Sequence, residues 1–181
     1  VRLREGRVER VVALERIPLV GRHNVLNVLA AVAMVHDLDV PAEAIARAVE
    51  SFHGLEHRAV TVPTDDGRRW IDDSKATNVH AAAATLDGLD GPVVALLGGR
   101  GKGEDYAPLA RFADRIRVAL CFGEEGPRIA AALTGRVEHE VVGGMRDALG
   151  RADAMAQVGD VILLSPACAS FDEFSGFAER G

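Results

Sequence analysis

The hydrophobic positions in the first part of this chain predict a hairpin followed by helices. From Val1 to Leu14, apolar and polar residues alternate around a Glu5-Gly6 turn, which predicts a β-hairpin. Apolar residues at helical spacing then predict a helix through about Val35. The residues predicted to form its buried face are Val25, Leu26, Leu29, Ala33 and Leu38.

A second helix is predicted from Pro41 to about Ser51. Pro41 is expected at the first helical position, and Ile45 and Val49, one turn apart, are expected to face inward. The helical pattern ends in the segment 52–58, F-H-G-L-E-H-R, and the sequence after Gly54 has a different character. We therefore predict a domain boundary between residues 53 and 54.

Strands alternate with helices after this boundary. Strands are predicted at 58–62, 69–71, 93–97, 118–121, 138–142 and 161–164. Helices are predicted at 81–86, 106–112, 128–133 and 145–156. The runs 93–97 and 161–164 are continuously apolar, which is typical of strands covered on both faces. The pattern predicts an α/β fold: a Rossmann-like, mostly parallel sheet preceded by a hairpin and helices.

Polar residues gather where three of these strands end. The segments are D-S-K-A-T-N at 73–78, G-G-R-G-K-G at 98–103 and S-P-A-C-A-S-F-D at 165–172. Ligands of open α/β sheets bind beyond the carboxyl ends of the strands. The first segment also precedes a helix, whose unpaired N–H groups and dipole favour an anion, and Lys75 adds a positive charge.

Each segment also has a simpler interpretation. Residues 71–78 could form an ordinary helix cap, with Thr77 or Asn78 at the N-cap position. The glycine segment could be a plain turn, although Lys102 beside four glycines suggests an anion; it matches neither a Walker loop nor a dinucleotide fingerprint. Asp172 and Glu173 are expected at the start of a helix as partners of its dipole. Of Phe174 and Phe177 on that helix, one is expected in the core and the other over a ligand.

Two asparagines lie near the start of the first predicted helix. Asn24 is expected at its N-cap, and Asn27 in the first turn carries an amide that both donates and accepts. Either both asparagines cap the helix or Asn27 reads a ligand. The sequence leaves these alternatives open.

Composition narrows the class of protein. The chain has 181 residues with 48% hydrophobic residues, and its net charge of -6 argues against a nucleic-acid-binding surface. No run approaches the length of a membrane helix, and two distant cysteines suggest a reducing cytoplasm. Cys168 is expected to be a small buried thiol rather than a nucleophile. The histidine spacing offers no metal site. The residues alone therefore predict a cytoplasmic domain that binds a small anion.

Together, the motifs resemble those of the Mur ligases of peptidoglycan synthesis. They are G-R-H-N-V-L-N at 21–27, G-L-E-H-R at 54–58, D-S-K-A-T-N at 73–78, L-L-G-G-R-G-K at 96–102, L-L-S-P-A-C-A-S-F-D at 163–172 and F-A-E-R-G at 177–181. The resemblance covers the whole chain and implies an ATP-dependent ligase that adds D-glutamate to UDP-N-acetylmuramoyl-L-alanine through an acyl phosphate. It implies that residues 1–53 are the tail of a central ATP-binding domain and 54–181 an amino-acid-binding domain.

The resemblance also implies roles for individual residues. The implied D-glutamate site consists of Thr77, Lys102, Ser170 and Phe177. Lys75 would lie near the reacting carboxyl and phosphate groups, and Arg58 would reach the ATP phosphates when the domains close. Asp73 would accept from the ribose, and Asn27 would read the adenine.

Some features depart from the family pattern. Glu56 is more acidic than the residue that many relatives have before His-Arg, and Phe171 replaces a commoner leucine. No phosphate-binding G-K-[ST] loop occurs in the chain. We therefore expect a fragment of a longer enzyme, inactive alone, with the ligands of Mg²⁺ outside the chain. The full-length enzyme is expected to be monomeric and to bind neither nucleic acid nor membrane.

Two other hypotheses compete with this interpretation. The first is a related ligase of the same superfamily, such as a folylpolyglutamate-type enzyme that adds another amino acid. The second is a nucleotide- or amino-acid-binding module without catalysis. The segments 73–78 and 163–172 favour the D-glutamate enzyme.

Overall fold

A computed structural model describes residues 2–4, 7–19 and 21–181. The chain divides into two compact units, Val1–Gly54 (unit 1) and Leu55–Gly181 (unit 2). The interpretation of unit 1 as the tail of an ATP-binding domain stays a prediction.

Unit 1 begins with the predicted hairpin. Strands β1 (Arg2–Arg4) and β2 (Arg7–Glu9) pair antiparallel, with Arg2 opposite Glu9. The predicted Glu5-Gly6 turn lies outside the described residues. The second strand ends at Glu9, earlier than expected, and a 3₁₀ turn occupies Leu14–Arg16.

Two helices follow, α1 (Arg22–Met34) and α2 (Ala42–Glu50). The prediction of Asn24 as the N-cap is wrong. Gly21 occupies this position with φ of 94°, a left-handed conformation that glycine adopts at no steric cost. Pro41 lies at the N-cap of α2 rather than at its first helical position.

The buried face of α1 also differs from the prediction. Val32 packs with Val11 and with Ile45 of α2, and Val28 and Val35 lie partly buried beside them. Leu26 and Leu29 of the predicted face are exposed. Because α1 is apolar on several sides, two different sets of positions satisfy a helical period, and the period alone could not select between them.

Unit 2 contains a six-stranded sheet, which confirms the predicted α/β fold. Its strands are β3 (Val60–Val62), β4 (Arg69–Asp72), β5 (Val93–Gly98), β6 (Ile116–Phe122), β7 (His139–Val141) and β8 (Val161–Ala167). Their spatial order is β3-β4-β8-β5-β6-β7. Only the β3–β4 pair of this sheet is antiparallel, so β4, β8 and β5 all end at the same edge.

Helices cover both faces of this sheet. They are α3 (Val79–Asp87), a 3₁₀ helix (Ala107–Phe112), α4 (Gly126–Leu133), α5 (Met145–Met155) and α6 (Phe177–Arg180). Ala95 of β5 packs in the core that contains α3 and α4, whereas its neighbours Val94 and Leu96 pack in the core that contains α5. Alternate residues of a strand point to opposite faces, so β5 is buried on both. No helix among the described residues is long and apolar enough to cross a membrane.

Candidate functional site

The loops after β4, β5 and β8 are joined at the carboxyl edge of the sheet. The backbone of Arg100 exchanges two hydrogen bonds with Ala169, at 2.8 and 2.9 Å, which joins the loop after β5 to the loop after β8. Arg180 joins the loop after β8 to the loop after β4, through bonds to the carbonyls of Cys168 and Ser74. The three polar segments found in the sequence are therefore neighbours in space.

The simpler interpretation of the segment after β4, a helix cap at Thr77 or Asn78, is confirmed for Asn78. Asn78 is the N-cap of α3, and its side chain accepts from the N–H of Ala81 at 2.8 Å. The N–H of Val79 donates to the carboxylate of Glu104, also at 2.8 Å. Two acceptors of the chain itself therefore already satisfy part of the helix end at which we expected an external anion.

Asp73 is a buried structural carboxylate, with 3% of its surface exposed. Its Oδ1 accepts from the N–H of Ala59 at 3.1 Å, and its Oδ2 accepts from the hydroxyls of Thr85 and Ser165, each at 2.7 Å. Burial raises the pKa of Asp73, although these hydrogen bonds act in the opposite direction. Because both oxygens already accept from the protein, the expected ribose contact does not fit this geometry.

Arg58 lies in a segment held by two contacts of His57 and by the hydrogen bond from the N–H of Ala59 to Asp73. The backbone is left-handed on either side of it, with φ of 59° at His57 and 50° at Ala59. His57 Nδ1 lies 2.6 Å from Asp72 Oδ2, and the carbonyl of His57 accepts from the N–H of Lys75 at 2.9 Å. Such conformations are strained for residues other than glycine and persist only where their surroundings impose them. The side chain of Arg58 is exposed.

Lys75 and Phe177, which were expected in different parts of the reaction, are in direct contact. Lys75 Nζ lies 3.9 Å from the centroid of the Phe177 ring, which is a cation–π contact. The ring of His57 meets the same phenylalanine edge-on, with the centroids 6.1 Å apart. Thr77 is partly exposed, two residues after Lys75 in the same loop.

The glycines of the loop after β5 are required by close backbone approaches. A Cβ at Gly98 would lie 2.0 Å from the carbonyl oxygen of Phe122, and one at Gly99 would lie 2.2 Å from that of Ala169. Packing alone therefore accounts for these two glycines. Lys102 in this loop is exposed, and among the described residues no carboxylate pairs with it.

The loop after β8 holds Ser170, which is 2% exposed. Asp172 and Glu173 are not at the start of a helix as predicted, since α6 begins at Phe177. Glu173 instead accepts from the N–H of Met145 at 3.1 Å, and so complements the dipole of α5. Glu173 therefore pairs with α5, a helix distant in sequence, rather than with the helix that follows it in the chain.

The thiol of Cys168 is buried 3.2 Å from the hydroxyl of Tyr106. Burial raises the pKa of Cys168 to about 11, so the reactive thiolate is scarce at neutral pH. The expectation of a structural thiol agrees with this environment.

Asn27 belongs to unit 1. It lies inside α1, and its amide nitrogen donates to Asn24 Oδ1 at 3.2 Å. The structure places Lys75, Thr77, Lys102 and Ser170 on three joined loops of unit 2 and Phe177 at the start of α6, whereas Asn27 lies in the other unit. Within the described ranges, no group of three or more His, Cys, Asp or Glu side chains is placed to hold a metal ion.

Sequence reasoning missed two features of this site. These are the contact of His57 with Asp72, and the buried Arg180. Both residues lie within motifs that were used for their resemblance to the family. His57 lies next to Arg58, and Arg180 lies in F-A-E-R-G. Nothing local in either motif indicates burial or the distant partner.

Comparison with known proteins identifies the family. The family model described as "Mur ligase, glutamate ligase domain" matches residues 57–168, which is most of unit 2. The chain belongs to the Mur ligase family. Among its curated relatives are the UDP-N-acetylmuramoylalanine–D-glutamate ligases of Aromatoleum aromaticum, 46% identical over 95% of the chain, and of Pasteurella multocida, 43% identical over 96%.

The chain spans 38% and 40% of the length of these two relatives. A solved structure, the UDP-N-acetylmuramate-alanine ligase MurC of Thermotoga maritima, matches with a TM-score of 0.65. This match covers 82% of the chain and 35% of that protein at 20% identity. At this identity, the structural match supports the fold of the family rather than a particular substrate.

Proposed function

We propose that this chain forms the C-terminal part of an ATP-dependent, cytoplasmic ligase that adds D-glutamate to UDP-N-acetylmuramoyl-L-alanine. The observation that carries the proposal is identity above 40% over nearly the whole chain to relatives that bear this ligase's name. Residues 54–181 would form the amino-acid-binding domain, and residues 1–53 the tail of the ATP-binding domain.

The proposed reaction is an amide-bond synthesis in two steps. The γ-phosphoryl group of ATP is transferred to the muramoyl-alanine carboxylate, which gives an acyl phosphate and ADP. The amine of D-glutamate then attacks the acyl carbon, and the tetrahedral intermediate expels phosphate. This chain would bind and orient the attacking amino acid. Holding its amine close to the acyl carbon in the orientation of attack would raise the reaction rate.

Lys102, Thr77 and Ser170 would bind the two carboxylates of D-glutamate. An ammonium and two hydroxyls can neutralise and hydrogen-bond a dianion, and charge-assisted bonds of this kind are the strongest in proteins. Lys102 has no ion-pair partner among the described residues, so its charge is available to a ligand. The joined loops after β4, β5 and β8 would keep these donors together.

Phe177 would pack against the aliphatic carbons of D-glutamate. In the structure, Lys75 covers one face of this ring at 3.9 Å. A ligand and the lysine cannot share that face, so we propose that Lys75 leaves the ring when D-glutamate binds. The freed ammonium would then reach the reacting carboxyl and phosphate groups, where negative charge develops.

Arg58 would contact the ATP phosphates when the domains close. Its exposed side chain projects from a segment pinned by His57 and Ala59, so its starting direction is fixed before closure. Guanidinium groups suit this task because their fork matches phosphate oxygens.

Asp73 and Asn27 would contribute to the nucleotide side in different ways. Asp73 would act by holding Ala59 beside Arg58 rather than through the ribose, since both of its oxygens are already used. Asn27 would read the adenine, as the resemblance implies. Among the described residues, no cluster of three or more His, Cys, Asp or Glu side chains could hold Mg²⁺.

The binding of D-glutamate to the ¹⁵N-labelled chain tests this proposal. Titration should shift the amide signals of Thr77, Lys102 and Ser170, and L-glutamate should shift them far less. Lys102→Ala should weaken the response at least about tenfold, because a charge-assisted bond contributes about 1.5–3 kcal/mol. The matched control is Arg146→Ala, which removes an exposed cation on α5 and should change nothing. Equal responses to both enantiomers, or none at millimolar ligand, would contradict the proposed site.

A further inference from the structure

Arg180 is a buried arginine whose guanidinium donates hydrogen bonds to two loops. It is 3% exposed, and its Nε donates to Ser74 Oγ at 3.0 Å. Its Nη2 donates to the carbonyls of Ser74 and Cys168, at 2.8 and 3.0 Å. Its buried Nη1 has no partner among the described residues and would lie 3.1 Å from a Cβ placed on Gly99.

Stability alone is a poor explanation for this arginine. Among the described residues it forms no ion pair, and Asp72, Asp172 and Glu173 act on it only at longer range. Burial lowers the pKa of Arg180, which shows that its charged form is disfavoured there. A buried charge without a close counter-ion costs free energy that an apolar side chain of similar size would not.

The hydrogen bonds of Arg180 reach two loops of the candidate site, and its Nη1 lies near the backbone of the third. Ser74 precedes Lys75 and Thr77, Cys168 lies two residues before Ser170, and Gly99 lies in the loop of Lys102. Ser74 Oγ also donates to the carbonyl of Phe177 at 2.7 Å, which ties the same network to the start of α6. One planar guanidinium therefore hydrogen-bonds the loops after β4 and β8, and the backbone bonds between Ala169 and Arg100 connect these two loops to the loop after β5.

We infer that Arg180 is a positioning residue whose guanidinium fixes the spacing of the loops after β4 and β8, and through the Ala169–Arg100 bonds that of the loop after β5. The ligand part of this inference rests on the proposed function. The hydrogen bonds by which Arg180 joins the loops, which we call the clamp, do not depend on the proposed function, because they lie within the chain. The planar fork matters more than the charge, since Nε and Nη2 must donate in one plane to three acceptors on two loops.

Amide hydrogen exchange of Arg180→Lys tests the clamp. This variant keeps the charge and removes the fork. Exchange at Lys75 and Ala169, whose N–H groups bond to His57 and Arg100, should become at least about tenfold faster relative to the amides of β5. The matched control is Arg117→Lys, because Arg117 bonds to Asp160 and the Met155 carbonyl near the opposite edge of the sheet. The control should leave the ratio of loop to β5 exchange unchanged.

The D-glutamate affinity of the same two variants tests the positioning role. Arg180→Lys should weaken binding about tenfold or more, whereas Arg117→Lys should not change it. Unchanged exchange in the loops, or acceleration spread evenly through unit 2, would overturn the clamp. Selective loosening of the loops with unaltered affinity would overturn the positioning role. If the unsubstituted chain binds no D-glutamate, the proposed function fails, and the exchange experiment still decides the clamp.

Discussion

Removal of the Asp73 carboxylate should lower the stability of unit 2 by about 3 kcal/mol. Its oxygens accept three hydrogen bonds, from Ala59, Thr85 and Ser165, and each buried bond contributes on the order of 1 kcal/mol. Asp73→Ala would leave all three donors without their acceptor. Asp73→Asn should lose less, because an amide oxygen can still accept from Ala59 and an amide N–H can donate to a reoriented hydroxyl.

The pH dependence of this effect follows from the raised pKa of Asp73. A pKa raised by folding means that the protonated carboxyl stabilises the fold. Its contribution is complete below the ordinary pKa of 3.8 and is lost as the pH rises through the folded value. The stability advantage of the unsubstituted chain over Asp73→Asn should therefore shrink with rising pH and then become constant.

Denaturant unfolding followed by fluorescence measures both effects. Trp70 is the only tryptophan and lies in β4, so its emission reports on unit 2. The matched control is Asp87→Ala, since this aspartate is exposed and its removal should change stability by less than about 0.5 kcal/mol. An Asp73→Ala loss as small as that of the control would refute the hydrogen-bond argument. An advantage that grows with pH would refute the sign of the pKa shift.

Four further predictions concern catalysis and the two units. In a full-length ligase containing this chain, Lys102→Ala should raise the D-glutamate KM at least about tenfold with little change for ATP; equal losses for both substrates would show that Lys102 is misplaced. Arg58→Ala should lower kcat more than nucleotide affinity, and Arg58→Lys should rescue poorly because a point charge lacks the fork; a lysine variant with normal turnover would refute this role. The chain alone should release no phosphate from ATP above background, because it lacks a G-K-[ST] loop. Its residues 21–50 should exchange amide hydrogens faster than 93–164, and equal protection would contradict the expectation that unit 1 is the looser part.

Local signals in the sequence predicted most of unit 2. The apolar runs of β5 and β8 are continuous because each strand is covered on both faces, and that environment is visible in the residues themselves. The cap at Asn78 was equally readable, since a cap depends on residues within one turn. The order of strands and helices then determined the parallel sheet and the edge at which the loops meet.

The errors arose where a distant contact decided the outcome. The buried side of α1 is set by Val11 and Ile45, and no period within the helix reveals those partners. Glu173 lies too far before α6 to serve that helix, and meets α5 instead. The two glycines 98 and 99 suggested an anion loop, but the approach of Phe122 and Ala169 accounts for them.

The candidate site residues show the same distinction between local sequence signals and distant contacts. Lys102 and Ser170 were assigned through local motifs that resemble those of the family, and the structure places them on joined loops. The role of Asp73 depends on burial, which the motif D-S-K-A-T-N does not encode. Whether these residues bind D-glutamate stays a prediction.

The product formed by a full-length ligase containing this chain tests the central claim most directly. The purified enzyme would be given UDP-N-acetylmuramoyl-L-alanine, ATP and one amino acid at a time. The mass of the UDP-linked product would then be measured by mass spectrometry. We predict a product that gains one D-glutamate residue, with one phosphate released for each amide bond formed. A product with another amino acid, or phosphate release that does not depend on D-glutamate, would contradict the proposed function.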